Sequence, residues 1–178
     1  MIHQIISEEE AEIINYKIAF IGDYDTGKTK IINKLLEYHY SYKSDIEYVY
    51  MYIKYKNRNI KLQIYDTTGI ERYSSILTKN IRNSSLVFLI YNVNSRNSFE
   101  SLKDWIDLVH TIGEFKTVIC GNKIYLIKRE VDEKEGKGFA EKYGLSFFEI
   151  DSINSIRSMF YYSIAELLIF EGKISDKE

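Results

Sequence analysis

The residues best suited to chemistry lie in residues 22–29, where the sequence reads GDYDTGKT. This segment matches the pattern G-x-x-x-x-G-K-[ST], in which backbone N–H groups and a lysine surround phosphate groups. We expect Lys28 to reach the β- and γ-phosphates of a nucleotide and the Thr29 hydroxyl to bind Mg²⁺. A helix that begins directly after the loop would add a positive field for the anion. The alternative interpretation is an ordinary strand-to-helix turn with an exposed lysine.

The residues around this lysine extend the predicted phosphate site. We assign nucleotide binding in this segment to Asp25, Thr26, Gly27, Lys28, Thr29 and Lys30. The carboxylate of Asp25 places a negative charge close to the expected phosphate groups. It should therefore weaken binding unless it faces solvent.

The surrounding sequence predicts the elements that position this loop. Residues 16–21 have the character of a strand that ends at Gly22, and residues 28–38 show the apolar spacing of a helix. Residues 86–91 form a continuous apolar run, which is typical of a strand buried in a parallel sheet. Strands and helices alternate along the rest of the chain, apart from one early hairpin. The sequence therefore predicts an α/β fold with a mostly parallel sheet covered on both faces by helices.

Two further segments resemble one known family. Residues 61–73, KLQIYDTTGIERY, resemble the pattern KLQIWDTAGQERF of Rab proteins, a branch of the Ras superfamily of small GTPases. Residues 91–105 contain a match to a second Rab pattern, YDVT…SF…W. Together with the phosphate loop, the resemblance runs in the family's order from about residue 17 to residue 170.

The resemblance implies a G domain with the P-loop NTPase fold. Such a domain has a six-stranded, mostly parallel sheet with one antiparallel edge strand, and helices lie on both faces. GDP or GTP and Mg²⁺ are the implied ligands, and switch segments change conformation with the nucleotide. By this resemblance Asp66 holds Mg²⁺ through water, and the N–H of Gly69 contacts the γ-phosphate.

The chain departs from the family at positions that serve hydrolysis. Ile70 stands where the family has the glutamine that orients the attacking water, and an isoleucine side chain cannot form a hydrogen bond with water. Tyr24 occupies a position where most relatives have a small residue, close to the space that an arginine finger would use. No catalytic residue is therefore assigned with certainty, and we expect slow hydrolysis.

The segments that resemble guanine-binding motifs are also altered. Asn122 and Lys123 match the start of the NKxD motif, but Tyr125 replaces its aspartate. The later SAK motif aligns with residues 151–153, so Ser152 keeps the backbone N–H that contacts the base and Ile153 replaces the lysine. Loss of the aspartate predicts weaker guanine binding and a relaxed choice of base. A substitute role for the Asp151 carboxylate stays open.

Switch I, the segment that precedes the hairpin, has no definite match. Residues 37–45 are fewer than in a typical Rab, so the threonine that senses the γ-phosphate and Mg²⁺ has no assigned equivalent. Ser41 and Ser44 are candidates for its hydroxyl, and Lys43 falls at the aligned position. Without such a hydroxyl, the GTP-bound state would be poorly ordered.

Composition narrows the class of protein and its location. The net charge of −2 is unlike that of most nucleic-acid-binding domains, so we expect no nucleic-acid partner. The single cysteine, Cys120, suits a reducing, cytoplasmic compartment. No apolar run reaches the roughly 18 residues that span a bilayer, and no cysteine near the end offers a lipidation motif. We expect an N-terminal extension at residues 1–15, the G domain at 16–172 and a short tail at 173–178.

Two functional hypotheses follow. The first is an atypical Rab-like GTP-binding protein of vesicle traffic or signalling that hydrolyses GTP slowly and meets effectors and regulators through its switch segments. Any membrane association would then be peripheral. The second is a pseudo-GTPase, an interaction module with lost or relaxed nucleotide binding. Tyr48, Tyr50 and Tyr52 suit a surface for an effector or for a homodimer as well as they suit a strand. Whether the domain belongs to a longer multi-domain chain also stays open.

Overall fold

The computed structural model describes residues 13–37, 42–44, 48–67, 74–123 and 128–174. The strands are β1 (Ile13–Ile21), β2 (Tyr42–Ser44), β3 (Val49–Tyr55), β4 (Arg58–Asp66), β5 (Leu86–Asn92), β6 (Lys116–Asn122) and β7 (Ser146–Ile150). The helices are α1 (Lys28–Leu36), α2 (Ser75–Arg82), α3 (Arg96–Glu100), α4 (Leu102–Ile112), α5 (Glu133–Lys142) and α6 (Ile153–Phe170). None of these helices has the length and apolar character needed to cross a membrane.

The strands pair into one sheet in the order β2-β3-β4-β1-β5-β6-β7. The run from β4 to β7 in this order is parallel throughout, whereas β3 is antiparallel to β4. The predicted α/β fold, mostly parallel with antiparallel pairing at one side, is therefore confirmed. To the six expected strands the structure adds the short β2, which pairs antiparallel with the outer side of β3. It lies in the part of the chain where the family resemblance was weakest.

Two apolar clusters cover the two faces of the sheet. Ile18 and Phe20 of β1 belong to the cluster shared with α1 and α6. Ala19 and Ile21 belong to the opposite cluster, which α2, α3, α4 and α5 complete around the buried Trp105. This division follows from the strand period, since successive side chains of a strand point to opposite faces. The prediction of helices on both faces is confirmed.

The parallel strands end together at one edge of the sheet. Phe20 near the end of β1 pairs with Asp66, the last residue of β4. Asn122 at the end of β6 pairs with Asn92 of β5 on one side and with Ile150 of β7 on the other. In open α/β sheets, ligands bind outside the carboxyl ends of the strands. The register therefore places the loops with the predicted phosphate, metal and base residues at this edge.

The helical region after β5 starts earlier than the sequence indicates. The sequence predicts a helix over residues 98–112, but the helical path begins at Arg96, passes Ser101 and continues as α4. The reason is the cap formed by Ser95, whose hydroxyl accepts a hydrogen bond from the N–H of Ser98 at 3.3 Å. A side-chain cap of this kind adds a helical turn that carries no apolar signal.

Tyr91 buries a hydroxyl group at the centre of the second cluster. Its ring packs against Phe99, with 5.1 Å between centroids. Two glycines make room for its Oη atom, because a Cβ on Gly136 would lie 2.3 Å from that atom and one on Gly121 would lie 2.7 Å from it. The hydroxyl has no hydrogen-bond partner among the described residues, and burial raises its pKa above the ordinary value. A buried hydroxyl without a partner costs stability.

Replacing Tyr91 with phenylalanine should therefore leave the protein at least as stable as before. We expect the free energy of unfolding to rise by about 1 kcal/mol, because the change removes an unsatisfied polar group and keeps the ring. Tyr16→Phe is the matched control, since the Tyr16 hydroxyl donates to Glu171 Oε2 at 2.8 Å. That variant should lose about 1 kcal/mol. Urea denaturation measures both values, and equal losses would show that Tyr91 has a polar partner.

Candidate functional site

The loop between β1 and α1 curls tightly against the sheet. Gly22 and Gly27 have φ angles of 139° and 87°, values that glycine tolerates best. Asp25, between them, also has a positive φ of 60°. A Cβ on Gly22 would lie 2.1 Å from the carbonyl oxygen of Ile90 in β5. The loop backbone therefore rests directly on the neighbouring strand, which only glycine permits at that position.

The predicted phosphate-binding lysine lies inside this curled loop. Lys28 is 4% exposed, and its Nζ donates to the carbonyl oxygens of Gly22 at 2.9 Å and of Asp23 at 2.6 Å. The hydroxyl of Thr26 donates to the same Asp23 carbonyl at 2.9 Å. The side chain therefore does not have the exposed position of a lysine in an ordinary turn. Its charge is concentrated where the loop and the start of α1 meet.

A cavity of about 320 Å³ opens over this part of the loop. Its lining residues are Tyr24, Asp25, Gly27, Lys28, Thr29, Lys30 and Thr67. Tyr24 is 70% exposed at its rim, and Thr29 and Lys30 are also exposed. Five of the six residues assigned to phosphate binding thus share one concave surface at the start of α1. The remaining one, Thr26, is buried beneath them and keeps the loop in shape.

The predicted metal ligands come from two elements that meet at this edge. Thr29 lies in the first turn of α1, and Asp66 ends β4 beside the end of β1. Next to it, the buried Thr67 donates its hydroxyl to the carbonyl of Phe20 at 2.8 Å and so fixes the path of the chain after β4. A hydroxyl and a carboxylate are hard oxygen donors of the kind that Mg²⁺ prefers. The start of α1 has no side-chain cap, which leaves its backbone N–H groups available to a phosphate group. The donor set therefore fits a phosphate group with Mg²⁺ bound to it.

The base motif is tied to the phosphate loop by a side chain. Asn122, 1% exposed, donates its Nδ2–H to the carbonyl of Thr26 at 2.8 Å. The N–H of Lys123 donates to the carbonyl of Ile150 at 2.7 Å, which joins the end of β6 to the end of β7. Later in the sequence, after residues 124–127, the Arg129 guanidinium donates to Glu149 of β7. The structure thus brings the predicted phosphate and base segments together.

The third predicted segment, at the start of α6, has a local partner that the sequence analysis missed. The hydroxyl of Ser155 accepts hydrogen bonds from the N–H groups of Asp151 at 3.0 Å and Ser152 at 3.1 Å. It also donates to the Asp151 carboxylate at 3.2 Å. These contacts form a capping box with Ser152, next to the half-buried Ile153. The N–H predicted to contact the base is therefore shared with the helix cap.

Some predicted residues lie outside the described residues. These are Gly69, Ile70, Tyr125 and Ser41. Lys43 and Ser44 belong to the backbone of β2. Their assignments stay predictions from the sequence. The signal that could have revealed Ser155 was present, because a serine three residues after Ser152 matches the spacing of a helix cap.

Replacing Gly27 with alanine tests how tightly the loop is built. A Cβ there would lie 2.3 Å from Asn122 Nδ2, and the φ of 87° is unfavourable for alanine. We expect a loss of about 2 kcal/mol in the free energy of unfolding, from backbone strain and the broken Asn122–Thr26 hydrogen bond. Gly138→Ala is the control, because that exposed helical glycine has open space around it.

The control variant should gain roughly 0.5–1 kcal/mol, since alanine suits a helix better than glycine. Chemical denaturation of both variants gives the comparison. Equal stability of Gly27→Ala and the wild type would contradict the close approach of Asn122 to the loop.

Comparison with known proteins adds three findings. A family model described as Ras family matches residues 17–168. A protein of Oryza sativa subsp. japonica, Ras-related protein RGP2, is 32% identical over 148 residues, which covers 79% of this chain and 68% of that protein. Ras-related protein Rab-2B of Dictyostelium discoideum is 34% identical over 141 residues, covering 75% of this chain and 70% of its own length.

Proposed function

We propose that this chain, which belongs to the Ras family and is a Rab-like small GTP-binding protein, is an atypical member of that family. In this proposal it binds GDP or GTP with Mg²⁺ and hydrolyses GTP slowly. One observation carries the binding: the buried Lys28 ammonium lies within a loop that Asn122 ties to the base motif. This arrangement places a positive charge where it can bind a phosphate group and holds it next to the segment predicted to bind the base.

Each predicted residue has a role in this proposal. Lys28 and the N–H groups around the start of α1 bind the phosphates, Thr29 and Asp66 hold Mg²⁺, and Gly69 contacts the γ-phosphate. When bound, Mg²⁺ neutralises charge on the phosphate oxygens. The exposed Lys30 adds positive charge at the rim of the cavity. Asp25 is exposed as well, so solvent screens its repulsion of phosphate.

Base selection is the weaker part of the site. Asn122 and Lys123 remain, but Tyr125 offers no carboxylate to the guanine edge. A hydrogen bond to a charged group contributes roughly 1.5–3 kcal/mol, so we propose guanine binding that is roughly tenfold to hundredfold weaker than with an intact motif. The N–H of Ser152 already donates to the Ser155 hydroxyl, and this competing hydrogen bond should weaken guanine binding further.

The nucleotide that the protein carries tests the proposal directly. The protein is purified with Mg²⁺ and denatured, and the released nucleotide is identified and counted by chromatography. Near-stoichiometric GDP or GTP supports the proposal, and an excess of GTP supports slow hydrolysis. A well-folded protein without nucleotide would favour the second hypothesis, a pseudo-GTPase that acts as an interaction module.

Specific observations keep that second hypothesis in view. Tyr24 stands at the rim of the cavity, and the cap at Ser155 uses backbone groups that a base would need.

Competition by millimolar ATP for bound guanine nucleotide separates relaxed base choice from guanine preference. Failure of ATP to displace the ligand would exclude relaxed choice.

We also propose that the protein acts in vesicle traffic or signalling through effectors and regulators that meet its switch segments. The aromatic side chains on β3 and directly beside it support such a surface. Tyr52 is 45% exposed, and Tyr48 packs edge-on against Tyr50 and Tyr65, with centroids 5.3 and 5.6 Å away. Capture of a partner only by protein loaded with a non-hydrolysable GTP analogue would support a switch, and equal capture in both nucleotide states would argue against one.

A further inference from the structure

The only tryptophan of the chain contacts the phosphate loop. Trp105 lies on the buried face of α4 and is fully shielded from solvent. Its indole Nε1–H donates to the Oδ1 atom of Asp23 at 2.8 Å. These residues are 82 positions apart in the sequence, so the contact joins the loop to a helix that no local pattern connects with it. The contact is partly buried, and a charge-assisted hydrogen bond is among the stronger polar contacts.

Asp23 also contacts Lys28, so it links Trp105 to the predicted phosphate-binding lysine. Its backbone carbonyl accepts hydrogen bonds from Lys28 Nζ at 2.6 Å and from the Thr26 hydroxyl at 2.9 Å. The side chain of Asp23 is therefore held by α4, while its main chain orients two residues of the phosphate site. A shift of Asp23 would move the carbonyl that contacts the lysine.

The contact with Trp105 also reduces the repulsion expected between the Asp23 carboxylate and a bound phosphate group. A carboxylate in a loop that binds anions repels phosphate unless it is held away from it or compensated. The indole N–H does both for Asp23, because it donates to the carboxylate and lies in α4 rather than at the start of α1. Asp25, by contrast, is exposed to solvent. The two acidic residues of the loop are thus accommodated in different ways.

Side chains from two distant elements contact the loop in the described part of the chain. Trp105 of α4 holds its first part through Asp23, and Asn122 of β6 holds its last part through the carbonyl of Thr26. Trp105 also packs in the apolar cluster that contains Leu77 and Ile81 of α2. The layer of helices on this face therefore braces the loop from behind.

We propose that Asp23 and Trp105 are positioning residues that hold the phosphate loop in the shape that retains a nucleotide. The inference rests on the proposed nucleotide binding, and neither side chain needs to touch the ligand. A loosened loop should release the ligand faster, whereas a contact with a merely structural role would change only the stability of the fold.

The test measures release of fluorescent N-methylanthraniloyl-GDP from the wild type and from four variants: Asp23→Ala, Asp23→Asn, Trp105→Phe and Asp23→Ala/Trp105→Phe. We expect Asp23→Ala and Trp105→Phe to release it about tenfold faster, the effect of one lost charged hydrogen bond. Asp23→Asn should stay within about threefold of the wild type, because its amide oxygen can still accept from the indole. The double variant should be no faster than the single ones, since both remove the same contact.

Asp107→Ala is the control, because it removes an exposed carboxylate from the same helix, and it should leave the release rate unchanged. Thermal unfolding of each variant is measured alongside. Lower melting temperatures with unchanged release rates would overturn the inference and leave the proposed function standing. Release as fast from Asp23→Asn as from Asp23→Ala would also overturn it, and this comparison decides even if Trp105→Phe does not fold. A wild type that binds neither GDP nor GTP would overturn both proposals.

Discussion

Replacing Lys28 with alanine is expected to weaken guanine-nucleotide binding by about a thousandfold. The ammonium lies at the centre of the loop and donates there to two carbonyl oxygens. In the proposed complex it donates to phosphate oxygens, and two hydrogen bonds between charged groups together contribute about 4 kcal/mol. Titration of nucleotide-free protein with fluorescent GDP in the presence of Mg²⁺ measures the affinity.

Lys34→Ala is the matched control for this variant. Lys34 lies in the last turn of the same helix, so its replacement removes the same charge far from the loop. We expect the affinity of that variant to remain within about twofold of the wild type, because solvent screens a distant charge. Circular dichroism shows whether both variants fold. A folded Lys28→Ala protein with wild-type affinity would contradict the phosphate site proposed here.

The shape of the candidate phosphate loop could be predicted because its determinants are local. Lys28 and Thr29 are set by a strand, a short loop and a helix that are contiguous in sequence, and the pattern of residues 22–29 encodes all three. Several of the main strands were also predictable, because residues 86–91 of β5 form a continuous apolar run and the turn between β3 and β4 is short. Both features depend on neighbours along the chain.

Contacts between distant parts of the chain could not be predicted in this way. The hydrogen bonds from Asn122 to Thr26 and from Trp105 to Asp23 depend on the register of the whole sheet and on the packing of α4. A pattern identifies each residue separately but does not pair them. The Ser95 cap escaped prediction for a different reason, because it adds a helical turn without an apolar residue that would reveal it.

Base choice lies between these two cases. The sequence shows that Tyr125 replaces an aspartate, and the structure places Asp151 one residue beyond the Ile150 carbonyl that binds the N–H of Lys123. The Asp151 carboxylate accepts a hydrogen bond from Ser155 and so takes part in the helix cap. Proximity to the base motif therefore comes with a competing local role, and the nucleotide content of the purified protein decides between them.

The second large effect is expected at Ile70, in the segment that follows β4. Isoleucine cannot orient a water molecule for attack on the γ-phosphate, whereas a glutamine amide can both donate to it and accept from it. Correct placement of a reacting group is worth about a hundredfold in rate. We therefore expect Ile70→Gln to raise the single-turnover rate of GTP hydrolysis by about a hundredfold, followed as the conversion of bound GTP to GDP by chromatography.

Ile76→Gln separates this effect from a general change in polarity. Ile76 lies in α2 and is 63% exposed, so a glutamine there gains no contact with the phosphate site and should leave the rate unchanged. Tyr24, which is 70% exposed at the rim of the cavity, is the other residue expected to slow hydrolysis. We therefore expect Tyr24→Gly, added to Ile70→Gln, to raise the rate further, and an unchanged rate would show that its ring does not limit access to the γ-phosphate. A wild-type rate equal to that of Ile70→Gln would mean that another group already orients the water, and the proposal of slow hydrolysis would then be wrong.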